Sequence, residues 1–253
     1  YVALGGAHLS SQNSHGVVAV SDPEGEISPD DVERVVEAAS AISLPSSREI
    51  IHVLPQEYIV DGEAGVKDPI GMSGVRLEVD THLITASQAS VKNLRKAVNE
   101  VGIKIDGLVF SGLAASEAVV TPTEKELGCV LVAIGGGKTC VSVFIEDALS
   151  YSGVIPIGAR NVTNDLAIGL RISLEAAEKV KVALSTDTDK DTGDDMDLKR
   201  LGIPEVKKVS RKTLADGIIR PRLNEIFTMV KLELDGVGLS SRVPSGVIIS
   251  GGG

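Results

Sequence analysis

The stretch that decides the fold is Cys129-Val130-Leu131-Val132-Ala133-Ile134-Gly135-Gly136-Gly137-Lys138-Thr139-Cys140-Val141-Ser142-Val143-Phe144-Ile145. Its two continuous apolar runs flank a glycine turn, which predicts antiparallel strands at 129–134 and 140–145. The pair Glu146-Asp147 indicates a short reversal into a third strand at 149–157. Glycines let the backbone approach a ligand closely, and N–H groups at such a turn can face a phosphate. For a lone run of three glycines, an ordinary hairpin turn is nevertheless the favoured interpretation.

Two segments imitate better-known ligand motifs. The Gly-Lys-Thr end of the turn looks like a Walker A loop, but that motif requires a glycine where Val132 stands and a helix after the loop. The acidic stretch at 185–199 looks like the start of a calcium loop, but Gly193 comes one position late and Leu198 replaces the final glutamate. We therefore exclude both motifs and interpret 185–199 as a solvated loop. Its acidic residues at the calcium-like spacing are Asp187, Asp189 and Asp191.

The composition describes a globular chain with an aliphatic core. Of the 253 residues, 43% are hydrophobic, 24% are charged and only 2% are aromatic. The scarcity of aromatic stacking platforms and the net charge of -10 exclude nucleic acid as a partner. No apolar run reaches the roughly 18 residues that a membrane span needs. Cys129 and Cys140 are expected to be buried thiols, and the histidines lack metal-ligand spacing, so no metal site is expected.

The rest of the chain contains further predicted strands and helices. A helix should follow Ser28, since this residue is a good N-cap, Pro29 suits the first helical position and acidic residues come next. Strand 76–85 alternates apolar and polar residues, so one side should face solvent. The other predicted strands are 1–10, 16–20, 49–54, 57–61, 108–110 and 247–250, and the other predicted helices are 90–101, 113–120, 163–170 and 174–184.

A long helical pattern runs from 213 to 234 and contains Pro221, which should kink or split the helix. Basic residues cluster before and inside this pattern. By default they form a solvated face, although in so acidic a chain they could also receive an acidic peptide. The residues of this basic run are Lys207, Lys208, Arg211, Lys212, Arg220 and Arg222.

Several segments match one known family in the family's own order along the chain. The most specific is Asp68-Pro69-Ile70-Gly71-Met72-Ser73-Gly74-Val75-Arg76-Leu77, preceded by Leu54-Pro55-Gln56-Glu57-Tyr58-Ile59-Val60-Asp61-Gly62. Further matching segments lie at 113–118, 155–158, 163–167 and 177–181. Together they resemble the FtsA family of bacterial cell-division proteins, which are actin-like members of the actin/Hsp70 superfamily.

This resemblance implies an α/β actin-like (ribonuclease H-like) ATPase fold with an inserted SHS2-type subdomain, called 1C. Residues 1–10 and 87–126 are expected to be part of subdomain 1A, with 1C at 11–86. Subdomain 2A is expected at 127–180 and 246–253, and 2B at 181–245. Because the chain has no initial Met and ends on three glycines, we expect a fragment lacking both ends. The missing parts would be the first phosphate loop and a C-terminal membrane-targeting amphipathic helix.

In the family, ATP lies between 1A and 2A, so the resemblance implies ATP as the cofactor. Glu117 matches the residue that helps to orient the attacking water. Glu178 and Lys181 match the pair that reaches the ribose and adenine. The other implied nucleotide contacts are the second phosphate loop Gly135, Gly136, Gly137, Lys138 and Thr139, the turn glycine Gly158, and the adenosine-loop glycines Gly251 and Gly252.

The chain departs from the family pattern at the phosphate loop. Ala133 and Cys140 stand where the family has aspartates, Lys138 replaces a threonine, and Ala159 replaces a glycine. The first aspartate helps to hold hydrated Mg²⁺, which an alanine cannot do. We therefore expect ATP binding with weak or absent hydrolysis, and a role for Mg²⁺ is left open.

The family's role implies several partners. An FtsA-like protein would assemble with copies of itself, bind the C-terminal tail of the tubulin-like protein FtsZ through 2B, and recruit downstream divisome proteins through 1C. It would act at the cytoplasmic face of the cell membrane at the division septum, as a peripheral protein. Candidate contacts for the tail are Arg211, Arg220, Arg222 and Asn224.

Two alternatives share the fold. One is a PilM-like ATP-binding protein of type IV pilus assembly, and the other is an Hsp70-like or sugar-kinase-like enzyme that uses ATP. The enzymes would need the carboxylates that Ala133 and Cys140 displace, and an Hsp70 would lack the insertion at 11–86. A PilM relative is not expected to match the 68–74 segment so closely.

Overall fold

The computed structural model describes residues 1–22, 24–186, 193–203 and 208–252. The chain divides into two compact units. Unit 1 contains Tyr1–Ala133, Cys140–Val154 and Gly238–Ser250. Unit 2 contains Ile134–Thr139, Ile155–Val237 and the glycines from Gly251 onward. The calcium-like aspartates 187, 189 and 191 and the basic residue Lys207 lie outside the described residues.

The described chain alternates strands and helices, as predicted for an α/β protein. The strands are β1 Val2–Leu4, β2 Leu9–Ala19, β3 Arg48–Val60, β4 Glu63–Val66, β5 Arg76–Ser87, β6 Leu108–Phe110, β7 Cys129–Ile134, β8 Thr139–Ile145, β9 Ala148–Ile155, β10 Asp195–Met196, β11 Val209–Ser210 and β12 Val247–Ser250. The helices are α1 Pro29–Ser40, α2 Gln88–Glu100, α3 Ser111–Val119, α4 Pro122–Leu127, α5 Ala159–Leu170, α6 Leu174–Thr186, α7 Arg211–Leu214 and α8 Arg220–Gly236.

In unit 1, an antiparallel sheet in the order β2-β5-β3-β4 packs against α1. Strand β2 is much longer than the predicted 16–20, because it pairs with β5 from Leu9↔Ala86 to Ala19↔Arg76. The prediction of a solvent-facing side for β5 was wrong. Leu77 and Val79 pack on the α1 side, whereas Ile84 belongs to a second apolar cluster with β7 and β8 residues. A central strand that is covered on both faces loses its polar alternation.

Helix α1 begins as predicted, and a capping box closes its first turn. Ser28 Oγ accepts a hydrogen bond from Asp31 N at 3.3 Å, and Asp31 Oδ2 accepts one from Ser28 N at 3.1 Å. The other carboxylate oxygen of the fully buried Asp31 accepts from Ser21 N at 3.0 Å and from Arg34 Nη1 at 2.7 Å. Gly16 allows β2 to reach this helix, because a Cβ there would lie 2.5 Å from Val35 O.

Strand β3 continues through Pro55, where the sequence predicted two separate strands. Its pairing with β5 shifts register between Pro55 and Glu57, which is a bulge. Strand β4 pairs with β3 only from Tyr58 to Val60. Pro55 therefore lies at an irregular and partly unpaired position, where a missing N–H group is tolerated.

The second sheet of unit 1 has the order β12-β7-β8-β9, with β12 parallel to β7. It contains the predicted glycine hairpin, and Glu146 and Asp147 both adopt positive φ in the reversal before β9. Both cysteines are buried thiols, as predicted. The segment after α3 was missed: Thr121 and Glu124 form a capping box that starts the short helix α4. A short helix carries too little apolar periodicity to be recognised from sequence.

Unit 2 packs α5 and α6 against the segment that follows them. Its apolar cluster joins Leu166 of α5, Val180 of α6 and Leu214 of α7, with Leu198 and Ile203 from the intervening chain. Helix α5 starts earlier than predicted, at Ala159, and α6 extends into the stretch expected to be a loop. Between α7 and α8, residues Ala215–Ile219 form a π-helical turn that ends two residues before Pro221. This is where the proline was expected to interrupt the helix, because proline cannot donate the next backbone hydrogen bond.

A polar network inside unit 1 links β2 and β5 to β9 through His82, which is 1% exposed. Asn13 Oδ1 lies 2.6 Å from His82 Nδ1 and can only accept, so Nδ1 carries the proton. Nε2 then accepts from Ser152 Oγ at 2.8 Å. Burial lowers the pKa of His82 to about 4, so the imidazole is neutral in the folded protein.

Replacing Asp31 by Asn should destabilise the protein by about 1–3 kcal/mol at neutral pH, because buried donors lose their acceptor. Hydrogen bonds to Ser28 and Ser21 hold the pKa of Asp31 well below its ordinary value. Its contribution is therefore fully present above the unfolded-state pKa of about 3.9 and declines as the pH falls from that value towards the lower folded-state pKa. Urea denaturation should show a larger difference between wild type and Asp31→Asn at pH 7 than at pH 3. An equal difference at both pH values would contradict this role.

Acidification from about pH 6.5 towards pH 4 should destabilise the protein through His82, by roughly 1.4 kcal/mol per pH unit. In this window the unfolded chain binds a proton that the folded protein excludes. His82→Gln should remove that part of the pH dependence in denaturation experiments. His15 is the matched control with the opposite sign, because its hydrogen bond to Asp80 raises its pKa. His15→Gln should instead remove a stabilisation present at acidic pH, which makes the loss of stability on acidification steeper. A weaker pH dependence of the free energy of unfolding in both variants would refute the assignment.

Candidate functional site

The glycine turn between β7 and β8 is closed by a hydrogen bond from Gly135 N to Lys138 O at 2.8 Å. Gly136 and Gly137 are exposed at its tip, and a Cβ on either would meet nothing within 4 Å. Space alone therefore does not require glycine at these two positions. The position that requires glycine is Gly158, in the segment that packs against the turn.

Gly158, the residue before α5, lies directly against the turn. A Cβ at this position would come within 2.3 Å of Gly135 O and 2.7 Å of Lys138 N. Because Gly158 has no side chain, the start of α5 can contact the backbone of the turn. Any other residue here would push the turn and the helix apart.

The first N–H groups of α5 bind the turn directly. Ala159 N donates to Gly135 O at 2.9 Å, and Arg160 N donates to Gly136 O at 2.7 Å. In a trans peptide the carbonyl and the following N–H point in opposite directions. The N–H groups of Gly136 and Gly137 therefore point away from α5, which is the arrangement a phosphate-binding turn needs.

Gly251 brings the end of the chain to the same place. Its φ is +116°, and a Cβ there would lie 2.1 Å from Ile134 O. Gly252 follows with open space around its Cα. The structure thus brings together Gly135, Gly158 and Gly251, which the sequence places far apart.

The flanking residues of the turn have structural contacts. Thr139 is fully buried and its hydroxyl donates to Ile157 O at 2.8 Å, so it links β8 to the chain before Gly158. Ala133 is half-buried, and Cys140 Sγ lies 3.4 Å from Ser111 Oγ. Neither Ala133 nor Cys140 offers the carboxylate oxygen that a hydrated Mg²⁺ prefers.

Glu178 and Lys181 form an ion pair on α6, with Nζ and Oε1 3.0 Å apart. The other carboxylate oxygen of Glu178 accepts from Thr163 Oγ1 of α5 at 2.6 Å. The hydrogen bond from Thr163, followed by that from Lys181, lowers the pKa of Glu178. The charged carboxylate is therefore held in one place, half-exposed, and can accept from a ligand hydroxyl. Sequence reasoning missed Thr163, whose role depends on the packing of α5 against α6.

Two adjoining cavities in unit 2 share Ala159, Glu178, Lys181 and Gly252. The first, called the apolar cavity, has a volume of about 710 Å³. It lies between α6 and the 211–223 segment, and its apolar lining is Ile134, Val162, Val182, Leu184, Ile219 and Leu223. The second, called the polar cavity, has a volume of about 650 Å³. In addition to the shared residues it is lined by Gly136, Arg160, Thr163, Asn164, Leu174, Glu175 and Lys179.

Glu117 belongs to unit 1, unlike the other predicted nucleotide contacts. Its carboxylate pairs with Lys125 Nζ at 2.6 Å, and its side chain is 66% exposed. Lys125 in turn lies over the ring of Phe144, 5.2 Å from the centroid. Glu117 is therefore held by an ion pair that the sequence did not indicate.

The predicted partner contacts fall into different environments. Arg222 makes a two-pronged ion pair with Asp165 of α5, at 2.7 and 3.0 Å, and also contacts Glu225. Arg211 lines the apolar cavity. Arg220 and Asn224 are exposed on α8, and Arg220 pairs with Asp216 at 3.0 Å. Of the four predicted tail contacts, Arg220 and Asn224 are thus the two that are exposed to solvent.

The described part of the chain contains neither a membrane-spanning helix nor a cluster of metal-ligating side chains. No helix there is both long and apolar enough to cross a bilayer. Within the same residues, no group of three or more His, Cys, Asp or Glu side chains is arranged to hold a metal ion.

Solved structures with the same fold are actin-like proteins. The chain of a PilM–PilN type IV pilus biogenesis complex matches 96% of this chain, with a TM-score of 0.58 and 19% identity, over 60% of its own length. MreB5 of Spiroplasma citri bound to ADP matches 66% of this chain, with a TM-score of 0.54 and 18% identity, over 54% of its own length. At these identities the likeness shows the fold alone. The predicted α/β actin-like fold is confirmed.

Sequence comparisons identify the family as well as the fold. The cell division protein FtsA of Pseudomonas aeruginosa is 38% identical over the whole chain, and that of Borreliella burgdorferi is 40% identical. The chain spans 60% and 62% of the lengths of these relatives. The family model for the SHS2 domain inserted in FtsA matches residues 6–85, and the model for the cell division protein FtsA matches residues 130–251. With both parts present in order, the chain belongs to the FtsA family of cell division proteins.

Proposed function

We propose that this chain is the nucleotide-binding part of an FtsA-type adaptor that binds ATP and hydrolyses it weakly or not at all. The contact between Gly158 and the glycine turn carries this proposal, because it directs the N–H groups of Gly136 and Gly137 away from α5. MreB5, which shares the fold, has been solved bound to ADP and to AMPPNP.

The nucleotide would extend from the turn across both cavities. The N–H groups of Gly136 and Gly137, with Lys138, would meet the phosphates. The ion-paired Glu178 and Lys181 lie on the wall that both cavities share, so they would meet the ribose hydroxyls. Gly252 lines both cavities as well, which suits a close approach of backbone to the ligand.

Weak hydrolysis follows from the residues beside the turn. Ala133 has no oxygen for a hydrated Mg²⁺, and Cys140 is a buried thiol beside Ser111. Glu117 would serve as the water-orienting carboxylate, but Lys125 holds it in an ion pair. Nucleotide would therefore act mainly as a ligand that stabilises one conformation.

In the cell, the adaptor would assemble with its own copies and tether FtsZ filaments to the cytoplasmic face of the membrane at the septum. Subdomain 1C, at 11–86, would recruit divisome proteins, and 2B, at 181–245, would bind the FtsZ tail. Parts of 1A would lie at 1–10 and 87–126, and parts of 2A at 127–180 and 246–253. A PilM-like role is not favoured, because that similarity is one of fold at 19% identity.

Gly158→Ala should weaken ATP binding by about tenfold or more, since it displaces a turn whose hydrogen bonds to a charged phosphate are each worth about 1.5–3 kcal/mol. Titration with a fluorescent ATP analogue measures the effect. Gly236→Ala is the matched control, because a Cβ there meets nothing within 4 Å. If wild type binds no nucleotide, or if Gly158→Ala binds as tightly as wild type, the proposed site is wrong.

Arg220→Glu should weaken binding of an FtsZ C-terminal tail peptide severalfold, because an exposed cation among the proposed tail contacts becomes an anion. Fluorescence anisotropy with the labelled peptide reports the affinity. Lys231→Glu makes the same charge change at another exposed position of α8 and should have little effect. Arg222 is unsuitable for this test because its reversal would break the partly buried pair with Asp165 that joins α8 to α5, whereas the pair between Arg220 and Asp216 is local and more exposed. Equal affinities of wild type and Arg220→Glu would remove Arg220 from the site.

A further inference from the structure

The apolar cavity has a second wall that the family resemblance does not account for. One wall is α6, with Glu178, Lys181 and Val182, and the other is the 211–223 segment. Phosphates would lie near the turn, and Gly136 lines the polar cavity. The ribose contacts are shared by the two cavities, so the apolar cavity is left for the base. Its volume of about 710 Å³ and its aliphatic lining suit a flat heterocycle.

The second wall includes the π-helical turn. Ala215, Asp216 and Ile219 of this turn all line the apolar cavity. A π turn adds one residue to a turn of the helix and is frequently found at functional sites. Here the widened turn ends two residues before Pro221, which cannot donate a hydrogen bond to continue a regular helix. The sequence thus forces an irregular backbone at the place where the helix faces the cavity.

Asp216 is the carboxylate on this wall. Its Oδ1 pairs with Arg220 Nη2 at 3.0 Å, and its side chain is 40% exposed. Among the residues that the structure describes, Oδ2 has no hydrogen-bond partner. An ionised carboxylate can only accept hydrogen bonds, so a base would have to present a donor to it.

We propose that Asp216 is a specificity-determining residue of the nucleotide site, which accepts a hydrogen bond from an exocyclic amino group of the base. Arg220 holds the carboxylate in place from the outer side, while Ile219 and Val182 contact the faces of the ring. A base without the amino group would leave the carboxylate facing an apolar edge. This inference rests on the proposed nucleotide site and adds the group that selects the base.

The test compares ATP with purine riboside triphosphate, which lacks only the 6-amino group, in competition against a fluorescent ATP analogue. Wild type should prefer ATP by about tenfold, the value of one hydrogen bond to a partly exposed charged group. Asp216→Ala should bind both nucleotides equally. Glu225→Ala is the matched control, since Glu225 makes a similar ion pair with Arg222 on the same helix and does not line the apolar cavity.

The outcomes separate the two proposals. If wild type binds neither nucleotide, the proposed nucleotide site fails and Asp216 has no base to select. If wild type binds ATP but shows no preference, or if Asp216→Ala keeps the preference, the assignment of Asp216 is wrong and the site stands. Asp216→Ser, which retains a small polar side chain, repeats the comparison if Asp216→Ala does not fold. Circular dichroism melting checks the fold of each variant.

Discussion

Close backbone packing at Gly158 is the contact on which the candidate site depends. The absence of a Cβ lets the first N–H groups of α5 bind the carbonyls of Gly135 and Gly136. The same bonds direct the opposite N–H groups of the turn away from the helix. Gly251 adds a second close contact, against Ile134 O. The geometry that we propose for phosphate binding is therefore built from backbone, and it does not depend on the side chains of Ala133 and Cys140.

Charge is organised locally in a chain that is acidic as a whole. The net charge is -10, yet Lys181, Arg211 and Lys212 all line the apolar cavity. The nearby carboxylates are paired: Glu178 with Lys181, and Asp216 with Arg220. These pairs fix the positions of acceptor oxygens while limiting the repulsion that a triphosphate would meet. The ion pair between Arg222 and Asp165 has another role, because it joins α8 to α5.

The sequence predicted the elements whose signals are local. The capping box of α1 depends on Ser28 and Asp31, three residues apart, and the β7–β8 hairpin depends on two apolar runs around a glycine turn. Predictions failed where a distant element decided the outcome. Strand β5 lost its solvent-facing side because α1 and a second cluster cover it. Strand β3 continues through Pro55 because a bulge follows this residue and β4 does not pair with it, so the N–H group that proline lacks is not needed there.

The sequence by itself determined the α/β fold, the glycine turn, the FtsA resemblance and the residues that face a nucleotide in that family. The turn and the individual elements follow from apolar periodicity, capping and turn chemistry, which act over a few positions, whereas the fold and the nucleotide residues follow from the resemblance. Only the tertiary structure placed Gly158 and Gly251 against the turn, joined Thr163 to Glu178, and put Arg211 and Asp216 on the wall of a cavity. These contacts join residues that are distant along the chain, so their geometry exists only after the helices have packed.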